Sequence, residues 1–144
     1  MQAKLLHFLL AEDDDDHAEL ILQSLRRNRI GNSIDRVRDG AEALDYLRRV
    51  GSYADKPRPD VLLLDLNMPR LGGHEVLAQI KNDPDLCCIP AVILTTSNAE
   101  SDRLRAYKLH ANSYLVKPLN FEDFTKIVQE LSLYWGVWNA PARG

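Results

Sequence analysis

Short apolar runs that end in polar residues recur along the chain and alternate with helix-like stretches. Five runs are strand-like, and the second, an alternating stretch, is the weakest: Leu5 to Ala11, Ser33 to Arg38, Val61 to Leu64, Ala91 to Leu94 and Tyr114 to Val116. Apolar runs of this length with polar ends are typical of parallel strands that are buried on both faces. The pattern therefore predicts a five-stranded parallel sheet.

The segments between and after these runs carry apolar residues at the three- and four-residue spacing of amphipathic helices. The clearest stripe follows the fifth run and consists of Phe124, Ile127, Val128 and Leu131. Capping-box signals mark three helix starts: Asp39 with Glu42, Ser97 with Glu100 and, more weakly, Asn120 with Asp123. Five strands alternating with five helices predict a doubly wound α/β fold.

Length and charge narrow the class of protein. A chain of 144 residues suits one compact domain, and a formal net charge of −3 argues against binding nucleic acid by bulk charge. No apolar run approaches the roughly 20 residues of a membrane-spanning helix, and acids appear by residue 12 where a secretory signal would be apolar. We therefore expect a cytoplasmic protein that binds neither membrane nor nucleic acid directly, with Cys87 and Cys88 as free thiols.

The strand ends carry the candidate chemistry, because ligands of an open parallel sheet bind beyond the carboxyl ends of its strands. These ends supply Glu12, Asp13 and Asp65 as carboxylates, Thr95 as a hydroxyl and Lys117 as an ammonium group. Crowded carboxylates repel each other unless a cation lies among them, and Mg²⁺ prefers such oxygen ligands. Lysine and threonine can then bind a phosphoryl group, so the set predicts a phosphoryl-transfer site.

The acidic run continues beyond the two predicted metal ligands. Asp14, Asp15 and Asp16 follow Glu12 and Asp13 directly. Carboxylates at the start of a helix favour the positive end of its dipole, so we interpret these three as a solvated helix start. Asp16 is the candidate cap or an acid near the site.

Several motifs together make the chain resemble the receiver domain of two-component response regulators, over nearly its whole length. They are the acidic pair Glu12-Asp13 in LLAEDD, Asp65 and Asn67 in LLLDLNMP, Thr95 in VILTTS, Tyr114, and Lys117-Pro118. One departure is Gly72-Gly73, where the family usually has Asp-Gly; we interpret Gly73 as keeping the flexible position of that turn.

The resemblance implies a flavodoxin-like sheet in the strand order 2-1-3-4-5 and a role for each matched residue. Asp65 would be the phosphoacceptor, Lys117 and Thr95 its catalytic partners, and Thr95 and Tyr114 the switch residues. Mg²⁺ or Mn²⁺ would bind Glu12, Asp13, Asp65 and the backbone carbonyl of Asn67. A cis peptide would join Lys117 to Pro118, and a sensor histidine kinase would be the phosphoryl donor.

A narrower resemblance connects the chain to the stand-alone regulators of cyanobacterial and bacterial phytochromes, which commonly form homodimers. The segments GSYADKPRP, LTTSNAESD, ANSYLVKP and YWGVW carry it. We expect residues 1–133 to form the receiver and residues 134–144 an aromatic extension of the last helix. Tyr134, Trp135 and Trp138 are interface candidates, although they could instead fold back onto the domain.

The functional prediction is a phosphoacceptor with self-catalysed phosphotransfer rather than an enzyme. We expect its signal to leave by protein–protein contact, because no output domain follows. One alternative is a receiver-like binding module that phosphorylation does not regulate. The other is an aspartyl-phosphate phosphatase, which would need a second aspartate two residues after Asp65, where Asn67 stands instead.

Overall fold

The five predicted strands form one parallel sheet. A computed structural model describes residues 6–27, 31–117 and 126. The strands are β1 (Leu6–Ala11), β2 (Gly31–Val37), β3 (Val61–Leu64), β4 (Ala91–Thr95) and β5 (Ser113–Val116). Their order across the sheet is β2-β1-β3-β4-β5, and every neighbouring pair is parallel. The predicted sheet and its flavodoxin-like order are confirmed.

Four α-helices connect or flank these strands within the described residues. They are α1 (Asp15–Arg27), α2 (Gly40–Arg48), α3 (Gly73–Lys81) and α4 (Glu100–Lys108), with a short 3₁₀ helix at Gly51–Tyr53. The predicted fifth helix lies outside the described residues, except for Lys126, which is helical. Tyr134, Trp135 and Trp138 lie outside them as well. None of the described helices has the length and apolar character needed to cross a membrane.

The apolar strands bury both of their faces, as their continuous hydrophobic runs predict. All four residues of β3 and all five of β4 are buried. Alternate residues face opposite sides of the sheet, so Phe8 and Leu10 pack with Ile21 of α1, whereas Leu9 packs with Leu77 of α3. The two resulting cores hold the carboxyl ends of β1, β3, β4 and β5 at one edge of the sheet.

One of the predicted helix caps is confirmed and another is wrong. Asp39 caps α2, since its side chain accepts a hydrogen bond from the Glu42 N–H at 2.8 Å. Ser97 does not cap α4, because the helix begins at Glu100 with Ala99 in the N-cap position and no side-chain cap. The Ser97 hydroxyl instead donates to Asp102 at 2.6 Å. The same hydroxyl accepts a 3.3 Å hydrogen bond from the Ala99 N–H, which precedes the helix.

Candidate functional site

The turn from β1 into α1 is shaped by the acidic run. The Asp14 carboxylate accepts hydrogen bonds from the backbone N–H groups of Asp16 at 2.9 Å and His17 at 3.1 Å. Asp14 therefore caps α1, so of the two roles expected for Asp16, a cap or an acid near the site, the cap is wrong. The helix already begins at Asp15, so the capping position falls one residue before it.

Two arginines from the β2 side fix the same turn. Arg36 donates through Nε and Nη2 to the carbonyl of Glu12, at 3.0 and 2.9 Å, and through Nη1 to Asp15 at 2.8 Å. Arg38 donates to the same Asp15 oxygen at 2.9 Å. The hydrogen bond from Arg36 keeps the pKa of Asp15 below its ordinary value. Asp14 and Asp15 thus act on the helix start, as the solvated-start interpretation predicted.

Three carboxylates meet at the carboxyl edge of the sheet. Oxygen atoms of Glu12, Asp13 and Asp65 all lie within 4.8 Å of one another. Glu12 is 1% exposed and Asp65 is 7% exposed, whereas Asp13 is open to solvent. Within the described part of the chain, Oδ1 of Asp65 is buried and accepts no hydrogen bond. A buried acceptor without a donor suits a cation or a bound group, so the three side chains fit the predicted divalent-cation site.

The described residues place more negative than positive charge at this cluster. Burial raises the pKa of Glu12 to about 7, and the nearby charge of Asp65 raises it further, while the hydrogen bond from Lys117 opposes both effects. A carboxyl with a raised pKa is held in an environment that disfavours its charge. Additional positive charge at this edge would therefore stabilise the ionised form of Glu12.

Lys117 reaches the cluster from the residue after β5. Its side chain is buried, its Nζ donates a short hydrogen bond to Oε1 of Glu12, and Nζ lies 3.5 Å from Oδ2 of Asp65. The third neighbour is Nδ1 of His17, at 3.1 Å from Nζ. The described residues contain no cis peptide. Pro118 lies outside them, so the cis bond to Lys117 stays a prediction.

Thr95 and Tyr114 contact the same loop after β4. Thr95 is fully buried and its Oγ1 accepts a 3.3 Å hydrogen bond from the Ser97 N–H, whereas Thr96 is exposed. Tyr114 is 6% exposed, and its hydroxyl donates to the Ser97 carbonyl at 2.9 Å. The backbone N–H of Lys117 donates to the Thr95 carbonyl at 2.7 Å. This arrangement joins the two predicted switch residues, but their role stays a prediction.

The turn after β3 contains the remaining predicted ligand and a packing constraint. Asn67 lies in this turn and is exposed, and the role of its carbonyl stays a prediction. Gly73 has no positive φ, so a left-handed backbone is not the reason for glycine at this position, and its flexibility stays a prediction. A Cβ at Gly73 would lie 2.4 Å from the carbonyl oxygen of Asp65. Gly73 is needed because α3 approaches the Asp65 backbone too closely for a side chain.

His17 and Arg36 contact the site but were not among the sequence candidates. His17 occupies the first turn of α1, and side chains there point back toward the amino end of the helix. The place of His17 in the sequence, shortly after β1 and at the start of a helix, therefore indicates contact with the end of β1. The sequence around Arg36 does not predict its contact with the site, because that contact depends on the pairing of β2 with β1.

Comparisons with known proteins match most of the chain. The family model described as "Response regulator receiver domain" matches residues 8–129. The "Probable methanogenesis regulatory protein FilR2" of Methanothrix harundinacea is 47% identical over 131 residues, which cover 91% of this chain and 84% of that protein.

Two solved structures share the fold and much of the sequence. The structure of the "Phosphorylated Cyanobacterial Phytochrome Response Regulator RcpA" has a TM-score of 0.87 and 42% identity, covering 92% of this chain and 94% of that one. The "Mn(2+)-bound form of response regulator Rcp1" has a TM-score of 0.89 and 40% identity, covering 95% and 99%. The resemblance to the regulators of phytochromes is confirmed.

Proposed function

The chain belongs to the family of response regulator receiver domains, and we propose that it receives a phosphoryl group from a sensor histidine kinase on Asp65. Members of this family serve two-component signalling and are not enzymes in the ordinary sense. One observation supports Asp65 above all. Its buried Oδ1 has no hydrogen-bond partner among the described residues, beside two further carboxylates and the ammonium group of Lys117.

The proposed reaction forms one bond and breaks one. An oxygen of Asp65 attacks the phosphorus atom of the phosphohistidine, a P–O bond forms, and the P–N bond breaks with its electron pair on the kinase imidazole. Lys117 donates a hydrogen bond to a phosphoryl oxygen, and Thr95 is the second donor.

We further propose that Glu12, Asp13, Asp65 and the carbonyl of Asn67 hold the divalent cation, Mg²⁺ or Mn²⁺. The cation would supply positive charge against the phosphoryl oxygens. The Mn²⁺-bound form of Rcp1 supports this choice, as do the crowded carboxylates and the raised pKa of Glu12.

Phosphorylation is proposed to change the loop that follows β4. Thr95 and Tyr114 both bond to Ser97, so a movement of the Thr95 hydroxyl toward a phosphoryl group would alter the loop that Tyr114 contacts. The loop leads directly into α4, which would carry the change to a protein partner.

A phytochrome-type light sensor is the proposed kinase, and a homodimer is the proposed assembly. The likeness to RcpA supports the sensor, while the likeness to FilR2 shows that close relatives also carry another regulatory description. Phosphotransfer from a phytochrome kinase and from an unrelated histidine kinase would be compared at equal concentrations. Equal rates with both would contradict the specific pathway while leaving the phosphoacceptor role intact.

Labelled phosphate from an autophosphorylated histidine kinase tests the acceptor directly. We expect the label to reach the wild type in the presence of Mg²⁺ and to be absent from Asp65→Asn. Asp55→Asn is the matched control, because Asp55 is an exposed aspartate in the loop before β3. Labelling of Asp65→Asn would overturn the assignment. No labelling of the wild type, with no binding of beryllofluoride, would instead favour the unphosphorylated binding module.

The assembly needs a separate measurement. Light scattering of the purified protein with and without beryllofluoride and Mg²⁺ gives its mass in each state. We propose that Tyr134, Trp135 and Trp138 contribute to the dimer, so that Trp135→Ala should lower the dimer fraction. A monomeric wild type under both conditions would contradict the proposed homodimer.

A further inference from the structure

Among the described residues Lys117 has three polar neighbours, and one of them is not a carboxylate. Two are carboxylates, Glu12 and Asp65, and the third is the imidazole of His17, whose Nδ1 lies 3.1 Å from Nζ. An ammonium group is only a donor, so Nδ1 must be the acceptor and the proton of the neutral ring must sit on Nε2. The contact therefore assigns both the tautomer and the direction of the hydrogen bond.

His17 is placed at the rim of the site, where it can act on the lysine from the solvent side. Its side chain is 36% exposed, whereas those of Lys117 and Glu12 are 3% and 1% exposed. The distance from Nδ1 to Oε1 of Glu12 is 4.0 Å, so the imidazole approaches the lysine more closely than the acid. The ring thus lies beside the lysine whose ammonium group the proposed phosphotransfer uses.

The two carboxylates attract Lys117 less strongly once their charge is shared with another cation. The hydrogen bond from Nζ to His17 does not depend on that charge. A donor held in position before the phosphoryl group arrives stabilises developing charge without further reorganisation. A neutral acceptor at the rim can provide this positioning in both states of the acidic cluster.

We propose that His17 is a positioning residue for Lys117: its Nδ1 holds the ammonium group at the mouth of the site and thereby speeds formation of the aspartyl phosphate. The proposal rests on the proposed phosphotransfer to Asp65. Its geometric basis is the 3.1 Å contact between a buried lysine and a half-buried histidine of α1.

Replacement of this side chain should leave the fold intact. The capping bond to Asp14 uses the backbone N–H of His17, so it survives a change of side chain. His17→Leu removes the acceptor at similar size. His17→Asn keeps an acceptor, because Oδ1 of asparagine occupies about the position of the histidine Nδ1. Glu19→Gln, on an exposed part of α1, is the control for a general effect of changing this helix.

The experiment measures the rate of phosphorylation by acetyl phosphate with Mg²⁺, which avoids any effect on kinase docking. One lost hydrogen bond predicts a rate about fivefold lower in His17→Leu. We expect His17→Asn to recover most of the wild-type rate and Glu19→Gln to match it. All four proteins should stay folded under the assay conditions, which urea denaturation checks.

A second readout does not require phosphorylation. The ¹⁵N resonance of His17 Nδ1 in the metal-free protein should shift when Lys117→Met removes the donor, and should not shift in Glu19→Gln. A wild type that is not phosphorylated contradicts the proposed function itself. A wild type that is phosphorylated no faster than His17→Leu overturns the role of His17 alone. So does an equally slow His17→Asn, because a purely structural role would not be rescued by an acceptor.

Discussion

Two polar clusters, each containing buried groups, lie at opposite ends of β1 and differ in how completely their groups are paired. The amino-end cluster is formed by His7, Ser33, Asp35 and Tyr46. His7 bonds to Ser33 through Nδ1 and to the Tyr46 hydroxyl through Nε2, both at 2.8 Å. The Tyr46 hydroxyl donates in turn to Asp35 at 2.5 Å, and Lys56 lies 3.5 Å from the same carboxylate.

The carboxyl-end cluster is formed by Glu12, Asp13, Asp65 and Lys117. Its polar groups are not all paired within the described residues. The described residues place one ammonium group among three carboxylates, and Oδ1 of Asp65 accepts no hydrogen bond from them. A fully paired buried network makes the structure specific, whereas a partly paired one costs stability until a ligand completes it. The difference separates a structural cluster from a binding cluster, even though both contain buried polar groups.

The largest expected effect is on cation binding at the carboxyl-end cluster. Asp13→Asn should weaken Mg²⁺ binding about 100-fold, or about 2.7 kcal/mol, because it removes a charged ligand from a site whose other donors cannot replace it. Isothermal titration calorimetry measures the change. Asp16→Asn makes the same charge change in α1 and should bind Mg²⁺ as the wild type does. Similar losses in both variants would mean that the cation responds to bulk charge and not to a built site.

The amino-end cluster should respond in stability and not in phosphorylation. Tyr46→Phe leaves the Nε2–H of His7 and the carboxylate of Asp35 without their shared partner, which should lower the free energy of unfolding by about 2 kcal/mol. Urea denaturation measures this loss. Tyr107→Phe is the control, since that tyrosine is 47% exposed. An unchanged midpoint in Tyr46→Phe would show that the hydrogen-bonded chain does not stabilise the fold.

His7 gives the amino-end cluster a pH dependence of known sign. Burial lowers the pKa of His7, although the charges of Asp35 and Asp60 oppose the shift. As the pH falls through about 6.5, the unfolded chain binds the proton first. The stability that His7 contributes to the fold is therefore complete above that pH and declines below it. The decline should reach at most about 1.4 kcal/mol per pH unit, until the folded imidazole is itself protonated.

The contribution of His7 has to be measured as a difference between variants. Glu12, whose pKa is raised, contributes with the opposite sign and destabilises the fold as the pH rises from about 4.5 toward 7. Urea midpoints of the wild type and His7→Gln from pH 8 to 5 therefore isolate His7. His110→Asn, at an exposed left-handed position, should retain the full pH slope. If His7→Gln has the same pH slope as the wild type, the assignment of this pH dependence to His7 is contradicted.

The two clusters also differ in how far the sequence predicts them. The acids and the lysine of the carboxyl-end cluster stand directly after apolar runs, so the sheet topology alone brings them to one edge. His7 lies inside the first apolar run, and its partners Asp35 and Tyr46 belong to a weak strand and to a helix. Their contact depends on the register of β1 with β2 and on the packing of α2, which local patterns do not specify.

The same distinction explains the two wrong helix starts. Capping patterns predict that a helix begins nearby, but the bonding partner is decided by whichever group lies closest in three dimensions. The Ser97 hydroxyl bonds to Asp102 and to the Ala99 N–H, and in the acidic run the helix begins two residues earlier than a cap at Asp16 requires, which makes Asp14 the cap. The rotation of a side chain such as His17 toward Lys117 also follows from tertiary packing.

The smallest expected change in the free energy of unfolding is the sharpest test of the comparison. The same substitution, Asp to Asn, should raise that free energy in the carboxyl-end cluster and lower it in the amino-end cluster. Asp65→Asn removes a charge that raises the pKa of Glu12, and Lys117 keeps Glu12 as its partner, so unfolding should require about 1 kcal/mol more in metal-free buffer near pH 8. Asp35→Asn makes the same change in the amino-end cluster, but it removes the ion pair with Lys56 and weakens the bond from Tyr46. That variant should lose stability by up to about 1 kcal/mol.

Adding Mg²⁺ should favour the wild type over Asp65→Asn, since only the intact cluster gains a bound cation. A loss of stability in both variants without Mg²⁺ would mean that Asp65 is paired as fully as Asp35, and the distinction between a structural and a binding cluster would fail.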